Sequence, residues 1–258
     1  MTIPQSLQRA AANAVEANAL LKDPAAQRGT VRPQLRRYDV RCLLPNGNIA
    51  ETRHVAPSLP LFEEAFTAFC RGSLVETSQG PIAIEDLLPG DELITAEGDI
   101  QPLVWKGCTS LVPSRAAQNG RSLRLTSFTA DSLGETKPMS TVVAGPAARL
   151  LQRAPLPGIR LEHGASLVPV QQYQDGMSIV ETAPPTAVDL YHICLPRHAV
   201  IKVGGLPFET YHPGPEALKL VSQAIRTLYL NLFSHVDSVT GFGPLAFPRI
   251  DLQDSDLA

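Results

Sequence analysis

The chain has 258 residues, of which 18% are charged and 44% hydrophobic, and its formal net charge is −3. This length can bury a sizeable core, and the composition excludes a chain that is disordered throughout. The net charge itself neither favours nor excludes an anionic partner. Four nearby arginines, 32, 36, 37 and 41, are expected to form a solvated face, because a nucleic-acid footprint would need a wider basic surface. No nucleic-acid partner is therefore expected.

Metal, membrane and secretion signals are also missing from the sequence. The four cysteines, Cys42, Cys70, Cys108 and Cys194, contain no CxxC pair. We therefore expect no zinc cluster, and no other cofactor is indicated. No window approaches the roughly 18 apolar residues of a membrane span, and residues 1–23 contain no secretory apolar region. A cytoplasmic chain with reduced thiols is the default expectation.

The first 69 residues are predicted to form a helix, a β-hairpin and a second short helix. An alanine-rich helix is expected over residues 3–22. Residues 34–57 alternate apolar and polar side chains on either side of Asn46-Gly47, which is typical of a hairpin turn. Residues 58–69 have phenylalanines at helical spacing, so a helix with one aromatic face is expected. This face should pack residues 1–69 against the rest of the chain.

From Cys70 the pattern changes to short strands separated by turn residues. The chain contains 23 prolines and 18 glycines, which favour many short strands over long helices. Residues 70–214 are therefore predicted to be a compact, mainly β fold. After residue 214 the apolar period becomes helical, and residues 216–236 predict an amphipathic helix. Residues 215–258 are thus expected to be a C-terminal helix and tail.

The segment 70–95, CRGSLVETSQGPIAIEDLLPGDELIT, resembles the first signature block of Hint domains, the hedgehog/intein autoprocessing fold of the bacterial type. The residues that match the block in register are Cys70, Gly72, Leu74, Thr77, Gly80, Ile84, Glu85, Asp86, Leu87, Gly90, Asp91 and Thr95. Residues 189–214 resemble the closing block of these domains, with His192 and His198 at the expected places. The resemblance spans roughly residues 70–214 and implies an all-β Hint fold.

The resemblance also implies a reaction. In Hint domains a cysteine thiol attacks the preceding carbonyl, here that of Phe69, and converts an amide into a thioester by an N–S acyl shift. A Thr/Ser-x-x-His element polarises this amide and protonates the leaving nitrogen, and a nearby aspartate or second histidine handles the thiol proton. The resemblance therefore makes Cys70 the candidate nucleophile, with His198 and His192 as its candidate partners.

Two expected elements are missing from the sequence. The Thr/Ser-x-x-His element should fall in residues 140–152, where its register places Gly145 and Ala148 instead of a hydroxyl and an imidazole. A general acid contributes about 10²–10⁴-fold to such a reaction, so its loss should slow the shift severely. The His-Asn pair that ends splicing members is replaced by Phe208-Glu209-Thr210. Splicing is therefore not expected, and the Hint site is interpreted as degenerate.

Three hypotheses follow. The first is a single-turnover, self-cleaving protein that breaks the Phe69–Cys70 bond, with the shift weak or lost. The second is a non-catalytic structural or interaction module on a degenerate Hint fold. The third is a Cys–His hydrolase that acts in trans through Cys70 and His198. The helix at 216–236 is the predicted surface for an unknown protein partner, and no feature of the sequence sets the oligomeric state.

Overall fold

A computed structural model describes residues 34–113, 123–154 and 164–250. The predicted helix at 3–22, Arg32 and the tail after residue 250 lie outside the described residues. Within the described ranges, no helix is both long and apolar enough to cross a membrane.

The described chain is mainly β, with two α-helices. The strands of its first half are β1 (Leu35–Leu43), β2 (Ile49–Pro57), β3 (Phe69–Cys70), β4 (Leu74–Thr77), β5 (Gly80–Ala83), β6 (Glu92–Ile94), β7 (Ile100–Pro102) and β8 (Trp105–Leu111). Those of its second half are β9 (Leu125–Phe128), β10 (Val142–Ala144), β11 (Arg149–Gln152), β12 (Ser166–Pro169), β13 (Ile179–Thr182), β14 (Val188–Cys194), β15 (Val200–Val203) and β16 (Leu206–Glu209). The helices are α1 (Pro60–Glu64) and α2 (Gln223–Leu230).

These strands form two antiparallel sheets. The first has the order β13-β9-β10-β3-β14-β8-β1-β2, and the second has the order β12-β11-β16-β15-β4-β6-β7, with β5 paired to β4. The predicted hairpin is present as β1 and β2, which pair along their full length around Asn46-Gly47. Strand β1 also pairs with β8, so the hairpin extends the first sheet.

The main core lies between the two sheets, and a second core covers the far side of the hairpin. The main core contains Phe69 and Phe128 of the first sheet and Val75 and Phe208 of the second, all fully or almost fully buried. The second core joins the hairpin, β8 and both helices. Its largest side chains are Tyr38, Phe62, Phe66, Trp105, Tyr229 and Phe233.

The C-terminal helix is shorter than predicted. The periodicity predicted a helix over residues 216–236, but α2 spans only Gln223–Leu230. Ser222 begins it, because its side-chain oxygen accepts a hydrogen bond from Ile225 N at 3.3 Å. After Asn231 the chain turns, and the carbonyl of Leu232 accepts a hydrogen bond from Trp105 Nε1 at 2.7 Å. The apolar residues therefore keep a helical spacing beyond Leu230, because the turn after the helix also buries its apolar side chains.

The helix predicted at 58–69 is also shorter. It spans only Pro60–Glu64, and Phe69 belongs to β3, where it pairs with Ala144 and Tyr191. Phe66 nevertheless fulfils the expected packing role: its ring lies 4.5 Å from that of Tyr38 and 5.4 Å from that of Trp105. Residues 34–69 are therefore packed into the same body as the strands after Cys70.

If this packing holds the N-terminal segment in place, Phe66→Ala should lower the free energy of unfolding by about 3–5 kcal/mol, because it leaves a cavity between β1 and β8. Urea denaturation followed by fluorescence of the single tryptophan, Trp105, measures this loss. Met139→Ala is the control: this side chain is 77% exposed, so its effect should stay within about 0.5 kcal/mol. A loss below about 1 kcal/mol for Phe66→Ala would contradict the packing argument.

Candidate active site

Strand β3 places the Phe69–Cys70 bond in the middle of the first sheet. Its two residues lie between β10 and β14, with Phe69 opposite Ala144 on one side and Tyr191 on the other. Cys70 lies opposite Leu190 of β14. Because neighbouring residues of a strand face opposite sides of a sheet, Phe69 and Cys70 join different apolar clusters.

The Cys70 thiol lies in an apolar environment. Cys70 is 7% exposed and belongs to an apolar cluster with Leu111, Leu125 and Leu190. Burial among these side chains raises the pKa of the Cys70 thiol to about 12. No charged group of the described residues contributes to this shift. A small open cavity of about 160 Å³ borders Cys70 and is lined also by Ser140 and Thr141.

The segment at the missing Thr/Ser-x-x-His position runs directly beside the backbone that precedes Cys70. Gly145 N donates to Ala68 O at 2.8 Å, and Ala147 N donates to Thr67 O at 3.2 Å. A Cβ atom at Gly145 would lie only 2.0 Å from Thr67 O, so no side chain fits there unless the backbone moves. Residues 144–148 read AGPAA and offer no side chain that forms hydrogen bonds. This segment therefore offers only backbone hydrogen bonds to the two residues that precede Phe69.

His192 packs against the side chain of Phe69. Its ring lies edge-on to the rings of Phe69, at 5.5 Å, and Tyr211, at 5.2 Å. Nδ1 of His192 accepts a hydrogen bond from Ile193 N at 3.1 Å. Burial lowers the pKa of His192 to about 3, although the Glu209 carboxylate acts in the opposite direction. The imidazole is therefore neutral at physiological pH, and it packs beside the residue whose carbonyl would be attacked.

Both ring nitrogens of His198 are occupied. Nε2 lies 3.0 Å from Oε1 of Glu209, and Nδ1 accepts a hydrogen bond from Ala246 N at 2.9 Å. Because Nδ1 accepts this bond, Nε2 carries the proton and donates to Glu209. Its side chain is almost completely buried. Neither histidine forms a hydrogen bond with Cys70: the ring nitrogens of His198 bond to Glu209 and Ala246, and Nδ1 of His192 bonds to Ile193 N.

A buried carboxylate network surrounds His198, and sequence reasoning missed it. Glu209 is 3% exposed and is also bound by Arg249 Nε at 2.8 Å and by Arg149 Nη1 at 3.7 Å. Burial alone would raise the pKa of Glu209, but the hydrogen bond from His198 and the charges of both arginines hold it well below its usual range. His212 lies beside His198 at a ring distance of 5.2 Å.

The sequence carried a signal for only part of this network. Glu209 stood out as the residue at the closing block's His-Asn position. Arg249, which lies 40 residues further on, had no local pattern that linked it to Glu209. In the described ranges, no group of three histidine, cysteine or acidic residues is arranged to hold a metal ion.

A comparison of the sequence with models of protein families identifies the family of this chain. The family model described as Hint domain matches residues 67–215, more than half of the chain, and contains both Cys70 and the closing block. The chain belongs to the Hint domain family. This family includes the self-splicing and autoprocessing inteins. The chain is therefore related to autoprocessing proteins. No match was found among curated proteins.

Solved structures similar to this Hint domain include inteins. A bacterial intein-like domain from Clostridium thermocellum is 12% identical with a TM-score of 0.40, and the match covers 56% of this chain and 99% of that one. An MchDnaB-1 intein is 16% identical with a TM-score of 0.35, covering 56% of this chain and all of that one, 100%. The Ssp DnaB mini-intein is 18% identical with a TM-score of 0.31, and the match covers 55% of this chain and 93% of that one. The family assignment itself rests on the sequence match.

The position of His192 predicts an acid-dependent loss of stability. The unfolded chain protonates this histidine near pH 6.5, whereas the folded chain keeps it neutral until about pH 3. Its folded pKa lies below its unfolded pKa, so its contribution to the free energy of unfolding falls by about 2 kcal/mol between pH 7.5 and pH 5.0. His192→Phe keeps an aromatic ring between Phe69 and Tyr211 and should remove that part of the loss. Urea denaturation at both pH values measures the difference, and an equal loss in both proteins would contradict it.

Cys70 should react as a thiol with a raised pKa. In the folded chain, its alkylation by iodoacetamide is expected to rise about tenfold per pH unit up to pH 10 without a plateau, because only the thiolate reacts. Peptide mass spectrometry gives the rate at this residue, and the urea-unfolded chain is the control, in which the rate should level off near pH 8.5 to 9. A plateau near pH 8.5 in the folded chain would show an ordinary or activated thiol.

Proposed function

We propose that this chain is an intact Hint-domain module in which the N–S acyl shift at Phe69–Cys70 is suppressed. The observation that carries the proposal is the surroundings of the Cys70 thiol. It lies among leucines, and within the described residues it forms no hydrogen bond with His192 or His198. On this view the Hint fold is retained for structure or interaction rather than for self-cleavage.

The chemistry of the thiol supports suppression. With a pKa of about 12, the thiolate fraction of Cys70 at pH 7 is on the order of 10⁻⁵, whereas a free cysteine is a few per cent thiolate. The leaving nitrogen also has no acid beside it, because residues 144–148 contribute only backbone groups and methyl or ring carbons. A positioned general acid is worth about 10²–10⁴-fold in rate. The raised pKa of the thiol and the missing general acid affect the transfer of different protons. Both therefore raise the barrier of the same N–S acyl shift.

The packing of the N-terminal segment supports the same proposal. Cleavage at Phe69–Cys70 would leave the β1–β2 hairpin paired to β8 and Phe66 stacked on Trp105. The fragment would therefore remain bound after cleavage. A segment with these contacts is better suited to stabilise the module than to serve as a released product.

The face of α2 that points inward is already used within the chain. Ile225 and Tyr229 are fully buried, and the ring of Tyr229 packs 6.0 Å from that of Phe62. A protein partner at this end of the molecule would therefore meet the outer face of α2 and the residues before it, where Leu220 is 76% exposed.

Intact mass measurement tests the proposal. Purified wild type is incubated for several days at pH 7.5 with and without dithiothreitol or hydroxylamine, and no fragment that ends at Phe69 is expected. Cys70→Ala and Cys108→Ala are the matched variants, because only the first removes the candidate nucleophile. A thiol-dependent fragment that persists in Cys108→Ala and disappears in Cys70→Ala would overturn the proposal. Turnover of an added thioester that requires Cys70 would instead support hydrolysis in trans.

A further inference from the structure

Residues 242–250, which we call the C-terminal strap, cross the closing block from outside the Hint domain. They lie beyond residues 67–215, which match the family. The strap runs along β12: Leu167 N donates to Pro248 O at 2.8 Å, and Ile250 N donates to Leu167 O at 3.0 Å. It thereby adds a short parallel bridge to the edge of the second sheet.

The strap makes a direct hydrogen bond to His198. Ala246 N donates to Nδ1 of His198 at 2.9 Å, while Nε2 of the same ring faces Glu209. An imidazole nitrogen accepts such a bond only through its lone pair. The docked strap therefore requires Nδ1 of His198 to carry no proton.

Arg249 of the strap shares the Glu209 carboxylate with His198. Its Nε lies 2.8 Å from Oε1, the same oxygen that His198 contacts, and its Nη2 donates to His212 O at 2.6 Å. Arg149 approaches the other oxygen at 3.7 Å. One buried anion is thus faced by two arginine cations, and a cationic His198 would be a third.

We propose that the strap is an acid-released latch controlled by His198. A proton on Nδ1 would point an N–H group at Ala246 N–H and add positive charge beside Arg249 and Arg149. Once the strap leaves, protonated His198 can pair with Glu209 and replace Arg249 as its counter-charge. Release of the strap therefore takes up one proton, and acid favours the released state.

The neighbouring histidines differ from His198 in this respect. His212 donates from Nε2 to Gly243 O of the strap, and its Nδ1 accepts from Gly214 N, which lies outside the strap. Protonation of His212 would keep its bond to the strap, and burial lowers its pKa to about 4. His192 also faces Glu209 and both arginines, but its ring contacts Phe69 and Tyr211 rather than the strap. Of these three histidines, His198 is the one where a proton, on Nδ1, would break a hydrogen bond to the strap, the one from Ala246 N.

The size of the effect follows from proton linkage. The uptake of one proton on release shifts the docking equilibrium by at most about tenfold per pH unit. The released fraction should therefore rise between pH 7.5 and pH 5.0, with no more than this slope.

Amide hydrogen exchange on the full chain tests the latch. Protection factors at Ala246 and Ile250, corrected for the intrinsic pH dependence of exchange, should fall from pH 7.5 to pH 5.0 with a slope of at most about tenfold per pH unit. Tyr211 N, which donates to Ile193 O within the folded body, is the internal control and should stay protected. Unchanged protection of both strap amides in wild type would overturn the proposal.

His198→Gln is the decisive variant. Its side-chain oxygen can accept from Ala246 N–H and its nitrogen can donate to Glu209, but it cannot gain a proton. Its strap protection should therefore be the same at both pH values, whereas His212→Gln should keep the wild-type response. An equal fall in His198→Gln and wild type would assign the effect to another group and overturn the proposal. Ring NMR of wild-type His198 provides a test without substitution: its protonation must share its midpoint with the loss of strap protection, and different midpoints would refute the latch.

Discussion

The buried Glu209 carboxylate must be surrounded by cations and hydrogen-bond donors, and this requirement organises one end of the molecule. An ionised carboxylate taken out of water loses several kcal/mol of hydration, so it persists only where cations and donors surround it. Here His198, Arg149 and Arg249 come from three separate stretches of chain and converge on one side chain. Removing any one of them leaves charge buried without its full set of partners, which typically costs about 3–5 kcal/mol. The carboxylate therefore ties the turn before β15, strand β11 and the C-terminal strap to β16.

The same constraint changes the role of the closing-block histidine. An imidazole acts as an acid or base only when one nitrogen can exchange a proton with the reacting group. In this chain both nitrogens of His198 are used to connect Glu209 to Ala246. Near Cys70, a glycine with no room for a side chain lies beside Thr67 O. The histidine and this glycine therefore both have structural contacts in the folded chain.

Local patterns predicted the elements whose contacts are close in sequence. The alternation around Asn46-Gly47 indicated the β1–β2 hairpin, and the block that begins at Cys70 indicated the Hint fold that the family match confirms. Periodicity was misleading where burial continued after a helix had ended, as in the turn that follows α2. The Glu209–Arg249 pair could not be predicted, because a pairing that depends on tertiary folding leaves no spacing signal in the chain.

The pairing of β3 also sets the order in which the molecule can assemble during synthesis. Both neighbours of this two-residue strand, β10 and β14, are encoded well downstream of it, and β1 pairs with β2 on one edge and with the later strand β8 on the other. At ribosomal rates of about 5–20 residues per second, β14 emerges on the order of ten seconds after Cys70. Until then the edge of β8 that pairs with β14 stays exposed. The centre of the first sheet can therefore be completed only late in synthesis, once β14 has left the ribosome.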